Sequence, residues 1–326
     1  MDYVNLGRSG LKVSKICLGT MSFGAAGAAR PWAVDDATAE EIFTTALEAG
    51  INFFDTADTY ADGNSELVLG KLLKRHLGRE EAVVATKLHA QMTPGPNGGG
   101  LSAKHVHAAI DASLKRLELD YIDLYQIHRF DPQVPVEETM GALNQLVEAG
   151  KVRYLGASSM YAWQFAKMQL AAERAGGARF ISMQNHYNLA YREEEREVIP
   201  QCIDMGVGVI PWSPLARGML AGTRGLDGAR QTERSRTDTF ADMLYTDDDL
   251  AVVRAVYEVA EAKGVPMAQV AMAWLLGRRG VVAPIVGATK ASHVTDAVAA
   301  CSVELSRAER QLLEAPYRPH AIAGHI

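Results

Sequence analysis

The stretch EAGINFFD (48–55) runs a helix end, a glycine and a short apolar strand together without a gap. The same form returns as EAGKVRYLG (148–156) and DMGVGVIP (204–211). A glycine takes the left-handed backbone that closes a last helical turn, so each phrase reads as a helix handing over directly to a strand. Working outward, short apolar runs occur at 16–18, 51–54, 83–85, 122–127, 152–155, 180–183, 207–210 and 281–286. Most are rich in β-branched or aromatic residues, which suits strands buried on both faces. Helical patterns lie between them. Val106, Ile110, Leu114 and Leu117 share one helix face, as do Met140, Leu143 and Val147, and Leu250, Val253, Tyr257 and Ala260.

Strands alternating with helices imply a parallel sheet covered by helices. A closed (β/α)8 TIM barrel and an open doubly wound sheet both satisfy that rule. Eight strands at near-even spacing favour the barrel. Ahead of it, Tyr3, Val4 and Leu6 face Leu11 and Val13 across Gly7-Arg8-Ser9-Gly10, an N-terminal β-hairpin expected to plug the barrel bottom. No composition break divides the chain, so residues 1–326 read as a single barrel domain. Two stretches read as long loops, 90–100 and 216–241, and the Ala-Ala-Gly-Ala-Ala piece after Phe23 as a third. The run Arg192–Arg196 reads as a solvated helix face.

A formal net charge of −6 and the lack of a Lys/Arg-rich run argue against a nucleic-acid partner. No apolar leader and no membrane-length apolar run is present, so the expected location is cytoplasmic. Cys17, Cys202 and Cys301 are too few and too far apart for a disulfide framework or a metal site, and read as buried small hydrophobes.

In a (β/α)8 barrel the chemistry sits at the C-terminal ends of the strands. Asp55 closes the second run, Tyr60 follows in the adjoining loop, Lys87 closes the third and His128 the fourth. Each residue alone has an ordinary explanation: a turn former, a packed aromatic, a solvated cation, a core histidine. Together on one rim they make a proton-transfer set. A free phenol has a pKa of about 10 and is a poor acid at neutral pH. A neighbouring ammonium favours the phenolate, and a carboxylate holds that ammonium in place. A histidine on the next strand can donate to a carbonyl oxygen. The set lacks a nucleophile–base pair and a metal cluster, so hydride must come from a cofactor. Neither a G-x-G-x-x-G turn between strand and helix nor a Walker loop occurs.

The chain resembles the aldo-keto reductases over essentially its whole length. The resemblance rests on LGTMSFG (18–24), GINFFDTADTYADGNSE (50–66), VVATK (83–87), LDYIDLYQIHR (119–129), GKVRYLGASS (150–159), MQNHYNL (183–189) and VIPWSPLARGML (209–220), with PIVGAT (284–289) weaker. The wording at 156–160 and 211–218 looks closest to bacterial members near the aryl-alcohol and sugar-phosphate reductases. The resemblance implies an NADP(H)-dependent oxidoreductase acting on a small-molecule carbonyl or alcohol. Asp55, Tyr60, Lys87 and His128 match the catalytic tetrad, with Tyr60 as proton donor. Ser158, Ser159 and Gln184 match the positions holding the nicotinamide amide, Trp212 the aromatic stacked on that ring, and Thr20 a contact after the first strand. Ser213, Leu215, Arg217 and Gly218 match the loop around the pyrophosphate. Gly287, Thr289, Lys290, His293 and Asp296 match the adenosine segment.

Some positions depart from the family pattern. Ser159 stands where Asn is usual and Trp212 where Tyr is common. Gly287 and His293 stand where many members carry Lys and Arg, leaving Lys290 as the expected contact to a 2′-phosphate. Met21, Trp32, Tyr60, His128, Arg129 and Trp212 are the expected substrate pocket. Arg129 is either an anion clamp or the partner of Asp131 or another loop carboxylate. Two other functions fit less: an NADP(H)-binding regulatory subunit with slow turnover, and a non-redox barrel enzyme forming a Schiff base on Lys87.

Overall fold

The computed structural model describes residues 1–24 and 30–325. The small-residue loop expected after Phe23 lies outside the described residues. Two strands, β1 (Tyr3–Asn5) and β2 (Lys12–Ser14), form an antiparallel hairpin. Eight more form one parallel sheet: β3 (Cys17–Gly19), β4 (Phe53–Asp55), β5 (Val83–Leu88), β6 (Ile122–Ile127), β7 (Val152–Ser158), β8 (Phe180–Gln184), β9 (Gly208–Val209) and β10 (Ile285–Gly287). Their order is sequential from β3 to β9, with β10 returning beside β3. The seam between first and last is bridged from the segment leading into β10. Val282 N donates to Val209 O at 2.8 Å and Ile285 N to Pro211 O at 2.9 Å. The sheet thus closes on itself as a (β/α)8 barrel, and the open doubly wound alternative falls.

The handover phrases fold as expected. Gly50, Gly150 and Gly206 all sit in the left-handed region, with φ of 79°, 72° and 70°. In a strand, alternate residues face opposite sides of the sheet. Cys17, Phe53, Val83, Ala85 and Leu124 share an apolar cluster inside the barrel with Leu6 and Val13 of the hairpin, all fully or almost fully buried. The hairpin therefore plugs the N-terminal end. Two residues further along the same inward rows, the barrel changes character: Asp55, Lys87, Gln126 and Gln184 follow, all buried. A second, larger core lies between the sheet's outer face and the helices.

Four expectations need correction. Tyr257 is 40% exposed, and Val256 takes its place on the buried stripe. Residues 216–241 are not all loop: Thr232 and Ser235 cap each other's backbone and start a short helix, Glu233–Thr237. The run Arg192–Arg196 is not a solvated helix face. Glu193 and Glu194 are buried, and Glu193 accepts from Tyr317 Oη at 2.5 Å and His320 N at 2.9 Å, fastening the C-terminal tail. Cys301 is exposed, unlike Cys17 and Cys202. Among the described residues no helix is long and apolar enough to cross a membrane.

Candidate active site

The polar end of the barrel interior opens into a cavity of about 720 Å³. That falls within the range of about 300–1,000 Å³ usual for small-molecule sites. Asp55 ends β4 and Lys87 lies near the end of β5, and both are buried. The Lys87 ammonium reaches Asp55 Oδ1 at 2.5 Å, the Thr56 carbonyl at 2.7 Å and Tyr60 Oη at 3.2 Å. Tyr60 is carried by a tight turn after β4, where Ala61 and Asp62 both adopt left-handed φ. Such strain in non-glycine residues is tolerated where surrounding structure fixes it. The His128 ring stands edge-on to Tyr60, with centroids 5.9 Å apart.

Electrostatics assign the protons. Burial pushes the Lys87 ammonium toward deprotonation, but the charges and hydrogen bonds of Asp55 and Tyr60 outweigh it and hold Lys87 above its ordinary value. His128 is held well below the ordinary histidine value by burial, then by Lys87, Arg129 and His89. It is therefore a neutral imidazole near pH 7, able to donate one N–H without carrying charge.

Sequence reasoning missed Gln126. Its amide donates to Asp55 Oδ2 at 2.9 Å, beside a matching bond from Gln184 at 2.9 Å, and accepts from Gln184 at 3.1 Å. Asp55 thus carries three donors. The signal was available: Gln126 is a polar residue two before His128 and two after Leu124, on the inward row of its strand. Asp58 was also missed. It is buried, and burial, then the charge of Glu66, raises its carboxyl to about 7.

The opposite wall is built from β7, β8 and the loop after β9. Ser158, Gln184, Trp212, Ser213, Leu215, Arg217 and Gly218 all line the cavity. One face of Trp212 is covered by His186, stacked at 4.2 Å, which in turn stacks on Tyr191 at 4.1 Å. Ser159 does not line the cavity; it is buried and accepts from Trp212 Nε1 at 2.9 Å, fixing the indole instead. Thr20 is likewise no wall residue: its hydroxyl is engaged by Asp55 O at 3.2 Å and Ser65 Oγ at 2.9 Å. Lys87 sits behind Tyr60 and Asp55 rather than in the wall.

Ser213, Ala216, Arg217, Gly218 and Gly222 all have left-handed φ. Runs of that kind form concave backbone nests that receive anions. Further along, Gly287, Thr289, Lys290, His293 and Asp296 line the cavity where the helix Ala291–Ala299 begins. A Cβ on Gly287 would meet nothing within 4 Å, so that wall is open to a ligand. Burial and then Lys290 hold His293 below its usual value, and its Nδ1 faces Thr289 N at 3.3 Å, so it is not a cation near pH 7. The charge comes from Lys290 and from Arg234 of the arginine-rich 216–241 stretch. The Arg234 guanidinium lies over the Trp32 ring at 4.3 Å. Asp238 receives Arg217 at 2.6 Å and Arg234 at 3.5 Å. A long groove with a nest at its middle, a helix start and two cations at one end and an aromatic shelf at the other fits a dinucleotide.

Met21, Trp32, Tyr60, His128 and Arg129 line the remaining part. Arg129 makes no ion pair with Asp131; that carboxylate accepts from Leu101 N and Gln133 N, both at 2.9 Å.

The aldo/keto reductase family model matches residues 15–317. Among similar proteins are an aldo-keto reductase of Metarhizium robertsii, 44% identical over 100% of this chain and 93% of its own, and the versiconal hemiacetal acetate reductase of Aspergillus parasiticus, 44% identical over 99% and 98%. A candidate aryl-alcohol dehydrogenase of Schizosaccharomyces pombe is 44% identical over 99% and 98%. These relatives are fungal, so the bacterial placement expected from residues 156–160 and 211–218 has no support. The chain belongs to the aldo/keto reductase family and is an oxidoreductase of carbonyl compounds.

Proposed function

We propose that the protein moves hydride between NADP(H) and medium-sized aldehydes or ketones, with Tyr60 giving the proton to the carbonyl oxygen in reduction. The observation carrying this reading is the Lys87 ammonium at 3.2 Å from Tyr60 Oη and 2.5 Å from Asp55. When Tyr60 gives up its proton, the phenolate forms beside a charge already in place, so little reorganisation is needed. Asp55, held by Gln126 and Gln184, keeps Lys87 charged and aimed. Neutral His128 donates a hydrogen bond that orients the carbonyl oxygen toward Tyr60 without competing as an acid.

The dinucleotide, when bound, supplies the hydride. Ser158, Gln184 and Trp212 would hold its nicotinamide end, with Ser159 acting through Trp212. Ser213, Leu215, Arg217 and Gly218 would surround its pyrophosphate, and Gly287, Thr289, Lys290, His293, Asp296 and Arg234 its adenosine end. Lys290 and Arg234 favour NADPH over NADH, because a 2′-phosphate brings charge to a positively charged wall. We take residues 1–326 as one working unit in the cytoplasm. The tail supports the first part, since Ala323 N donates to Tyr191 Oη at 3.0 Å and Gly324 lies against Trp212.

The test is NADPH and NADH oxidation against a panel of aromatic and aliphatic aldehydes and ketones. Turnover with NADPH and several uncharged aldehydes is expected. Tight NADPH binding without turnover on any carbonyl would favour a regulatory subunit instead.

A further inference from the structure

We propose that the pocket beside Tyr60 recognises carbonyl compounds bearing a carboxylate or phosphate, through the guanidinium groups of Arg129 and Arg30. This rests on the reading of Tyr60 and His128 as the place where the carbonyl sits. Arg129 lines the cavity directly after His128, and its side chain makes one hydrogen bond, Nη1 to its neighbour's carbonyl, His128 O, at 2.6 Å. Among the described residues no carboxylate pairs with it. Arg30, on the loop after β3, places its guanidinium carbon 5.7 Å from the Tyr60 ring centroid. Its Nη1 is buried with no hydrogen-bond partner. Both guanidiniums thus lie beside the same phenol, and among the described residues neither has a carboxylate partner.

The other charges around the pocket show why this matters. Lys87 has its counter-ion in Asp55. Arg217 and Arg234 share Asp238. His128 and His89 are both held below the usual histidine value, with burial the largest cause, so neither adds charge near pH 7. Among the described residues, Arg129 and Arg30 are therefore the uncompensated cations beside Tyr60. Burial presses the Arg129 guanidinium below its ordinary range, the cost expected of a cation set into a wall without an anion. An unpaired buried guanidinium N–H also forgoes a hydrogen bond, and a bidentate anionic acceptor satisfies both deficits at once. An uncharged aldehyde satisfies neither. The aromatic and thioether surfaces of Trp32 and Met21 then hold the rest of the molecule.

The experiment compares matched pairs: 4-carboxybenzaldehyde against methyl 4-formylbenzoate, and glyceraldehyde 3-phosphate against glyceraldehyde, each with NADPH. The readout is the ratio of kcat/KM for the anionic member to that of its neutral partner, in wild type, Arg129→Met and Arg30→Met. A ratio well above one in wild type, falling by about tenfold or more in each variant, is expected from loss of a charge-assisted hydrogen bond. The pair that shows the effect identifies carboxylate or phosphate as the group recognised. A second measurement needs no turnover: calorimetric binding of benzoate against benzamide, and of phenyl phosphate against phenol, to the NADP-loaded protein, whose own phosphate sites are filled. Anion preference there without reduction of any aldehyde would count against the reductase reading and leave the anion site standing. No anion preference in either measurement, or a ratio unmoved in both variants, overturns the proposal.

Discussion

The imidazole of His186 lies flat against the indole of Trp212, with centroids 4.2 Å apart and planes 11° from parallel. His186 is itself backed by Tyr191 and joined through Nε2 to Tyr245 Oη at 2.7 Å. Trp212 therefore has one face closed by protein while the residue lines the cavity, and Ser159 anchors its Nε1. His186→Ala should loosen this shelf. An aromatic stack is worth about 0.5–1.5 kcal/mol, so NADPH affinity should weaken roughly three- to tenfold, with kcat less affected. Fluorescence titration of the cofactor checks this; unchanged affinity would mean that the stack does not position the ring.

Trp32 and Arg234 join the loop after β3 to the short helix Glu233–Thr237 across the cavity mouth. A cation–π contact of this kind contributes about 0.5–2 kcal/mol. Trp32→Ala should speed release of NADPH by about twofold to thirtyfold, because the segment carrying Glu233–Thr237 loses its contact with the loop after β3. Stopped-flow displacement measures this directly, and an unaltered release rate would show that the segment carrying Glu233–Thr237 is held elsewhere.

Asp58 predicts a pH effect on stability. Burial and then Glu66 raise its folded value to about 7, above the ordinary 3.8. A group raised on folding contributes its full stability below its unfolded value, and loses it as pH rises through the folded one. The penalty is therefore small in acid and complete above about pH 7. Asp58→Asn removes it, so the variant's gain in stability over wild type should be larger at about pH 8 than at about pH 5, by roughly 2–3 kcal/mol at 1.4 kcal/mol per pKa unit. Thermal melts at both pH values decide it; an equal shift at both would mean that Asp58 is ionised in the fold throughout.

Most of the barrel could be read from the chain because its signals are local. A glycine at each of 50, 150 and 206 marks where a helix must turn into a strand, and every apolar run became a strand of the sheet or its closing edge. Strand ends were harder. The apolar runs stop where the inward row turns polar, so β5 reaches Leu88 rather than Ala85, and β10 begins late. Asp55, Tyr60, Lys87 and His128 could be placed on one rim from register alone. Side-chain commitments over long sequence distances could not. Thr20 is engaged by Ser65, Ser159 by Trp212, and Glu193 by a tail more than a hundred residues away. Nothing local to those residues indicates such partners.

Lys290 lies exposed at the groove's end, near a His293 that is neutral at pH 7. Lys290→Ala should raise KM for NADPH about fivefold to tenfold while leaving NADH nearly unchanged, since only the former brings a phosphate there. Steady-state kinetics with both cofactors test this. A parallel rise for both would assign Lys290 to the pyrophosphate or the helix start instead.

The central claim is that Tyr60, beside Lys87, delivers the proton. Single-turnover reduction of an uncharged aromatic aldehyde by the Tyr60→Phe protein preloaded with NADPH tests it most directly. General acid catalysis supplies about 10²–10⁴-fold, so the rate should fall by that much while NADPH affinity stays close to wild type. Lys87→Met should fall comparably, because the phenolate would form without its ammonium. A Tyr60→Phe protein that reduces the aldehyde within about tenfold of the wild-type rate would contradict the assignment, since the loss would then be smaller than general acid catalysis provides.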